Sequence, residues 1–496
     1  MSKIPPTNPA KMDDVYSELN ELILPGIPQM QSPKHHALMP VGASYASLLG
    51  SMLCDGLGCI GLTWNECPAS TELEMVVMNW MAKLIDLPLD FQFFGKQNTD
   101  PGSGGGGMIQ ASTTESLFTV TVAAKRIMLD HLMGPDVSEG VVTERLVAYC
   151  SAQAHPGMER VAEVCGIKLK RLWTDSKGIM HANAIKTIIE GDKQKGFFPF
   201  LVVVTMGTIG TVSIDQIDKI VPFCKSLTPQ MWVHVESGYV GSAFICREYQ
   251  PLLLGIDHVD SFSLSAHKWL PVHMDCACLW VKKVNHLTFT FGCEDPNGPL
   301  TIPPIPRNDM ADYRQWSLPI TRRFRAMKLW MVFKLYGSRG LQQKIRTDVR
   351  RAKELELLIA EDHRFETMGD TLFGIVPFRC KRPNFNTINK EILQEINKDG
   401  TIIMTGVQVG VKFWLRFVIT GRQTSTEDVK YSWEIIKTVT SNAIERHHRL
   451  RESEGRYGVP NYTHVNKIGK NERLDMETES DGMSGQYTYT TSVGGN

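Results

Sequence analysis

LSAHKWLP, residues 264–271, sets one lysine, Lys268, between an imidazole and an indole, just after the alternating run DSFSL (260–264) and just before the apolar CACLWV (276–281). Alternation with a period of two reads as a strand, and a short continuous apolar run reads as a buried one. Lys268 therefore stands at a strand end, either as a surface residue or as the anchor of a ligand. Burying an ammonium costs on the order of several kcal/mol unless its charge is paired or lost. A covalent bond from the amine to a carbonyl ligand removes the free ammonium altogether. Such a ligand also needs an anion cradle, a partner for a ring nitrogen and a group that stacks on the ring.

Working outward, RLVAYC (145–150), FLVVVT (200–205) and MWVHV (231–235) are further strand-like runs, and they alternate with helical segments such as 70–87. Alternating strands and helices predict an α/β fold with a mostly parallel sheet covered on both faces, whose ligands sit beyond the carboxyl ends of the strands. Residues 321–360 read as helix broken at Gly337 and Gly340. Beyond them, strand-like TLFGIVPFRC (371–380), helical NKEILQEINKD (389–399), strand-like VKFWLRFVIT (411–420) and a helix to about Arg446 predict a small α+β domain. The expected division is an N-terminal segment 1–40, a large domain 41–337, a small C-terminal domain 338–450 and a polar, disordered tail 451–496.

Composition narrows the function. The 496 residues are 42% hydrophobic and 21% charged, with 53 basic and 53 acidic side chains, so no electrostatic footprint for nucleic acid exists. Short clusters such as Arg322-Arg323 and Arg350-Arg351 read as solvated helix faces. The eleven cysteines form no CxxC pair and no zinc-spaced array, which predicts no metal, no disulfide framework and reduced thiols in the cytoplasm. MSKIPPTNPAKMDD lacks the apolar stretch of a signal peptide. The uncharged run 196–214 contains Pro199, Gly207 and Gly210 and suits a buried strand and loop, so no membrane passage is expected.

Three stretches answer the requirements set by Lys268. GSGGGGMIQASTTESL (102–117) leads into the helical TVTVAAKRIMLDHL (119–132), and small residues at a helix N-terminus let N–H groups and the hydroxyls of Ser112, Thr113 and Thr114 approach a phosphate. A flexible loop with a threonine cap looks the same. MWVHVESGYVG (231–241) ends a strand in Glu236 and follows it with Ser237 and Gly238, which leave space for a flat ligand. A carboxylate there would keep a pyridine nitrogen protonated; a strand-end acid capping a turn is the plain alternative. CSAQAHPGMERVAEVCG (150–166) puts His155 at a helix start, for stacking or for capping. Glu236 precedes Lys268 by 32 residues, one strand-helix-strand step.

Taken in order, QASTTE, AQAH, TMGTIG, VHVESGYVGS, SAHKW, DYRQW and RRFRAMK resemble the group II pyridoxal-phosphate-dependent amino-acid decarboxylases, most nearly the aromatic-L-amino-acid and histidine decarboxylases, from about Met12 to Arg446. The resemblance implies the aspartate-aminotransferase-like fold type I, pyridoxal 5'-phosphate as cofactor, no metal, a homodimer, and a carboxy-lyase that converts an aromatic or imidazole L-amino acid to its amine. It implies that Lys268 binds the cofactor, His155 stacks on its ring and Glu236 faces the ring nitrogen. Thr113, Thr114 and Ser265, with His267 nearby, would hold the phosphate; His234 would lie beneath the site, and Ser112 and Gly238 would line it.

The departures are specific. Glu236 replaces an aspartate, Ser265-Ala266 an asparagine-proline, and Ile209 a threonine. Leu38-Met39-Pro40-Val41 replaces an aromatic-proline-threonine entrance, and 294–311 lacks the family's loop tyrosine. The N-terminal segment that wraps the partner subunit is expected to be missing. Two alternatives stay open: an aldehyde-forming oxidative decarboxylase, and a weak or inactive paralogue with a binding or regulatory role.

Overall fold

The structure is a computed structural model and describes residues 4–37, 42–95, 104–292, 310–381 and 385–456. Its central sheet has seven strands, β1 (Gly106–Gln110), β2 (Leu146–Ser151), β3 (Lys168–Leu172), β4 (Phe198–Thr205), β5 (Trp232–Glu236), β6 (Ser261–Ser265) and β7 (Ala277–Val281), in the order β1-β7-β6-β5-β4-β2-β3. β7 is antiparallel to both neighbours and every other pairing is parallel, so six strands point their carboxyl ends to one edge. Covered on both faces, β4 buries nearly all of FPFLVVVT, which is why it reads as an unbroken apolar run.

The five strands expected in this region are found within one or two residues of their predicted bounds, and two strands were not anticipated. β3, KLKRL, lies at the sheet edge, where its charged residues discourage further pairing and mask the strand pattern. β1 corrects the reading of the glycine run. Gly106 and Gly107 lie inside a buried strand, where a Cβ would stand 2.7 Å from the ring of Phe93 and 2.6 Å from that of Trp280. These glycines admit aromatic rings against the sheet; the approach to the helix begins only at Ala111.

A second core gathers Ile392, Phe365, Phe378, Phe417 and Trp433 around β8 (Phe365–Thr367), β9 (Ile375–Cys380), β10 (Ile403–Val409) and β11 (Lys412–Val418). The two-residue strand His35–His36 pairs with β10, so the sheet runs His35–His36, β10, β11, β9, β8. The helix Ala326–Glu361 joins the two cores: Leu341 and Ile345 pack in the first, Leu355 and Ile359 in the second. It breaks at Gly337 (φ 60°, ψ 173°), a conformation that glycine adopts without a side-chain clash, while Gly340 stays helical.

The chain divides into Met1–Glu445 and Arg446–Asn496. The helix Thr426–Arg456 runs past the expected end near Arg446, so 451–456 is helical where a disordered tail was expected. The remainder of that tail, the entrance 38–41 and the loop 293–309 lie outside the described residues. Among the described residues no helix is long and apolar enough to cross a membrane.

Candidate active site

Lys268 sits in a single helical turn, Ala266–Trp269, directly after β6. Glu236 is the last residue of the adjacent β5, in register with Thr205 of β4 and Ser263 of β6. The turn after β5 is tied to both neighbours: Ser237 N–H donates to Ser263 O at 2.9 Å, Ser237 Oγ–H to Met206 O at 2.9 Å, and Ser265 N–H to Gly238 O at 2.9 Å. Parallel strands with matched ends thus place the acid and the lysine in one crevice.

Gly238 marks the point of convergence. A Cβ on it would lie 2.5 Å from Glu236 Oε1, 2.6 Å from Lys268 Nζ and 3.5 Å from Thr113 Oγ1, so only glycine leaves that space clear. Glu236 Oε1 accepts from Gly238 N–H at 2.8 Å. Thr113 begins the helix Thr113–Leu132 that follows β1, and its hydroxyl meets Ser265 Oγ at 2.8 Å. Ser112 caps this helix, its Oγ accepting from Glu115 N–H at 3.2 Å, while Glu115 Oε2 accepts from the N–H of the preceding residue, Ala111, at 2.8 Å. Thr114 faces His155 across Gly157, whose Cβ would stand 2.5 Å from Thr114 Oγ1 and 2.8 Å from His155 Nδ1.

His155 Nδ1 accepts from Gly157 N–H at 3.0 Å, so in the neutral ring the proton is on Nε2. Burial, reinforced by the Lys268 charge, pushes its pKa down to about 4. His267 is also pushed to about 4 by burial and by Lys268, and its Nδ1 accepts from Cys276 N–H at 3.1 Å. His234, fully buried on the face of β5 that carries Glu236, contacts Ser261 Oγ at 2.8 Å and Ser263 Oγ at 3.1 Å, and burial lowers it to about 3. Burial lowers the Lys268 pKa, against the pull of Glu236, and raises that of Glu236, against Lys268 and the Gly238 N–H. Both members of the pair are drawn toward their uncharged forms. Lys268 as a whole is half-buried, although its amine is enclosed by protein.

Of the candidate residues, Glu236, Gly238 and Thr113 meet Lys268 directly, Ser265 bonds to Thr113, His155 and His267 lie within reach of the Lys268 charge and Thr114 adjoins His155, while Ser112 caps the helix and His234 bonds to Ser261 and Ser263. One residue was missed. Arg416, in the middle of β11, is buried; its Nη1 donates to Ala37 O and to Thr405 Oγ1, each at 2.9 Å, and its Nε has no partner among the described residues. Its charge lowers the Lys268 pKa, which puts it within electrostatic reach of the amine. A buried arginine whose hydrogen-bond partners are neutral has unused capacity for an anion. In the sequence the only signal is an arginine between the apolar pairs Trp414-Leu415 and Phe417-Val418 of VKFWLRFVIT.

The glycine-cleared space, the buried amine, the strand-end acid and the hydroxyl-lined helix start fit a flat, phosphate-bearing carbonyl ligand. Residues 2–381 match the pyridoxal-dependent decarboxylase conserved domain. The chain belongs to the pyridoxal-dependent decarboxylase family, and its fold is the type I fold of pyridoxal-phosphate enzymes. It is similar to the aromatic-L-amino-acid decarboxylase of Rattus norvegicus, 37% identical over 88% of this chain and 89% of that one. It is also similar to the histidine decarboxylase of Homo sapiens, 35% identical over 89% of this chain and 65% of the other. The crystal structure of Rhodiola rosea 4-hydroxyphenylacetaldehyde synthase superposes with a TM-score of 0.80 at 34% identity, covering 89% of this chain and 90% of that one.

Proposed function

We propose that the protein is a pyridoxal-phosphate-dependent carboxy-lyase that removes carbon dioxide from an aromatic or imidazole L-amino acid. The observation that carries this reading is the convergence of Lys268 Nζ, Glu236 Oε1 and Thr113 Oγ1 on the side-chain-free Gly238. Lys268 would hold the cofactor covalently, Glu236 its ring nitrogen, and Thr113, Thr114 and Ser265, with Ser112 and His267 at the margin, its phosphate. Bound there, the cofactor supplies an electron sink for the bond broken at the substrate α-carbon.

The protein's own residues do the rest. A lysine with a lowered pKa has a larger neutral fraction and attacks a carbonyl readily. Arg416 offers its guanidinium to the substrate carboxylate. His155, neutral at pH 7 with its proton on Nε2, offers a ring face for stacking and an N–H for proton relay. Reconstitution with pyridoxal phosphate, borohydride reduction and peptide mapping should find the pyridoxyl group on Lys268, and L-aromatic amino acids or L-histidine should then release carbon dioxide. An adduct on another lysine, or no uptake, overturns the reading.

One observation favours a second product. Residues 294–311 contain no tyrosine, and the flanking Tyr249 and Tyr313 donate their hydroxyls to Leu372 O and Gly107 O at 3.2 and 3.0 Å. Neither of these two hydroxyls stands in for the family's loop tyrosine as the acid at the α-carbon, and such an acid contributes about 10²–10⁴-fold. Dioxygen can then act as oxidant, converting amino acid, dioxygen and water into aldehyde, carbon dioxide, ammonia and hydrogen peroxide. Measuring amine, aldehyde and peroxide together separates the outcomes, and fast, peroxide-free amine formation excludes the second reading.

The assembly is a homodimer in this reading, with the active site at the subunit interface. The helix Tyr45–Leu57 packs closely on the helix Ala326–Glu361, a Cβ on Gly50 meeting Lys328 Cα at 2.6 Å, yet exposes Tyr45, Leu48, Leu49, Met52, Leu53 and Leu57 on its other side. A patch of that kind fits a second copy. Sedimentation at micromolar concentration should show two chains, and a fully active monomer contradicts it. The composition and the reduced thiols support a cytoplasmic location.

A further inference from the structure

Trp269, the residue after Lys268, donates its indole N–H to Asp348 Oδ2 at 2.9 Å, and both side chains are buried. The indole stacks on Tyr239 with centroids 4.4 Å apart, and Phe373 meets its edge at 6.3 Å and 85°. Gly374 packs against both rings, since a Cβ there would lie 2.7 Å from the Tyr239 hydroxyl and 3.5 Å from Trp269 Cζ2. Asp348 is itself held by Lys344 Nζ at 2.7 Å, which also donates to Thr420 O at 3.1 Å just beyond β11. The indole is thus clamped by the turn after Gly238, by the approach to β9 and by the long helix.

The turn Ala266–Trp269 has only four residues, too few to hold a helical conformation without outside contacts. What Trp269 is attached to therefore governs where Lys268 points. A carboxylate accepting from a buried N–H forms the stronger, charge-assisted kind of hydrogen bond. We propose that Asp348 is a positioning residue: by fixing the Trp269 indole it fixes the turn and with it the direction of the Lys268 amine. Its consequence for catalysis rests on the reading of Lys268 as the cofactor anchor. The action is mechanical, because the charges that bear on Lys268 are Glu236 and Arg416, with His155 and His267 beside it, while Asp348 bears on Tyr239.

Three full-length variants test it. Asp348→Asn keeps an acceptor oxygen, Asp348→Leu removes it, and Trp269→Phe keeps a ring but loses the N–H. The first readout is the pH dependence of Lys268 acylation by a small activated ester in cofactor-free protein, followed by peptide mass mapping. Wild type and Asp348→Asn should share a midpoint below that of an exposed lysine. Asp348→Leu and Trp269→Phe should both move the midpoint upward as the amine loses its burial, and combining them should add nothing. The second readout is pyridoxal phosphate capture by equilibrium dialysis, weakened about tenfold or more in Asp348→Leu, where the acceptor is lost, and within about threefold of wild type in Asp348→Asn, where a neutral acceptor replaces the charged one.

A wild-type midpoint in Trp269→Phe overturns the proposal, even where Asp348→Leu fails to fold, and so does a full additional shift in the double variant. If wild type captures no cofactor but the acylation series behaves as stated, the anchor reading fails and the positioning role stands. If wild type captures cofactor on Lys268 and the series is flat, the positioning role fails alone.

Discussion

Two buried cations divide the chemistry of this molecule. Lys268 stands on a short turn at the end of β6, and Arg416 stands in the middle of β11. Among the described residues neither is in an ion pair. Glu236 is close enough to Lys268 to oppose its desolvation, whereas Arg416 has only a carbonyl and a hydroxyl. Burial lowers the pKa of both, that of Arg416 to about 10. At neutral pH a lysine so treated can give up its proton and form a bond. The guanidinium keeps its charge and calls for an anion. In the proposed reading the first place takes the covalent attachment and the second an ion.

The largest effect belongs to the first place. Lys268→Ala should abolish borohydride-stable cofactor incorporation and lower turnover by about 10³-fold or more, as loss of a covalent group does. Retention of covalent cofactor, seen by mass spectrometry of the reduced protein, would remove Lys268 from the centre of the comparison.

A buried imidazole near each place tests the comparison in a different way. His36 is stacked at 3.8 Å on Phe417, the residue after Arg416 in β11, and burial lowers its pKa from 6.5 to about 4. The unfolded chain takes up that proton near pH 6.5 and the folded chain only near pH 4, so stability falls as pH drops through this window and levels off below it. Fully developed, the loss is about 3 kcal/mol. His36→Phe should make the fall of the denaturant midpoint between pH 6.5 and 4 shallower without abolishing it, since His155, His234 and His267 are lowered by burial as well, while His155→Phe, beside Lys268, should cut turnover at pH 7. Equal acid sensitivity of wild type and His36→Phe would show that His36 does not carry this loss.

Arg416→Met comes next. Losing a charge-assisted contact to a carboxylate costs about 1.5–3 kcal/mol, so KM for the amino acid should rise about 10–150-fold, with cofactor still bound. Arg416→Lys should recover part of this, since a point charge replaces a fork. An unchanged KM would mean that the guanidinium serves only to hold Ala37 and Thr405.

The two places also differ in how much of them the sequence discloses. Lys268, Glu236 and His155 stand at breaks in pattern, where a strand run ends in a residue that does not belong in a core, and such breaks are visible without coordinates. Arg416 interrupts the apolar runs Phe413-Trp414-Leu415 and Phe417-Val418-Ile419, so it reads as a lone polar position on a strand, and only the pairing of β11 between β9 and β10 shows that it is central and buried. Asp348 is equally silent, an acid on a charged helix whose partner lies 79 residues away. β1 was hidden because its glycines answer to rings from distant segments. Local chemistry is legible in order of sequence; contacts made across long separations are not.

The smallest effect concerns Glu236. Its Oε1 is turned back onto Gly238 N–H at 2.8 Å, so part of the carboxylate is satisfied within its own turn before any ligand arrives. Contact with a ring nitrogen must then come from a side chain one methylene longer than the aspartate it replaces, in a crevice already bounded by Lys268 and Thr113. Holding that chain away from its preferred rotamer costs about 0.5–1.5 kcal/mol. Glu236→Asp removes the methylene and should tighten pyridoxal phosphate binding about two- to tenfold, a change equilibrium dialysis resolves. The gain is limited because Gly238 N–H loses its acceptor. Weaker binding in Glu236→Asp would reverse the argument, showing that the bond to Gly238 is the principal work of this carboxylate and that the turn after β5, not the ring nitrogen, is what the longer side chain serves.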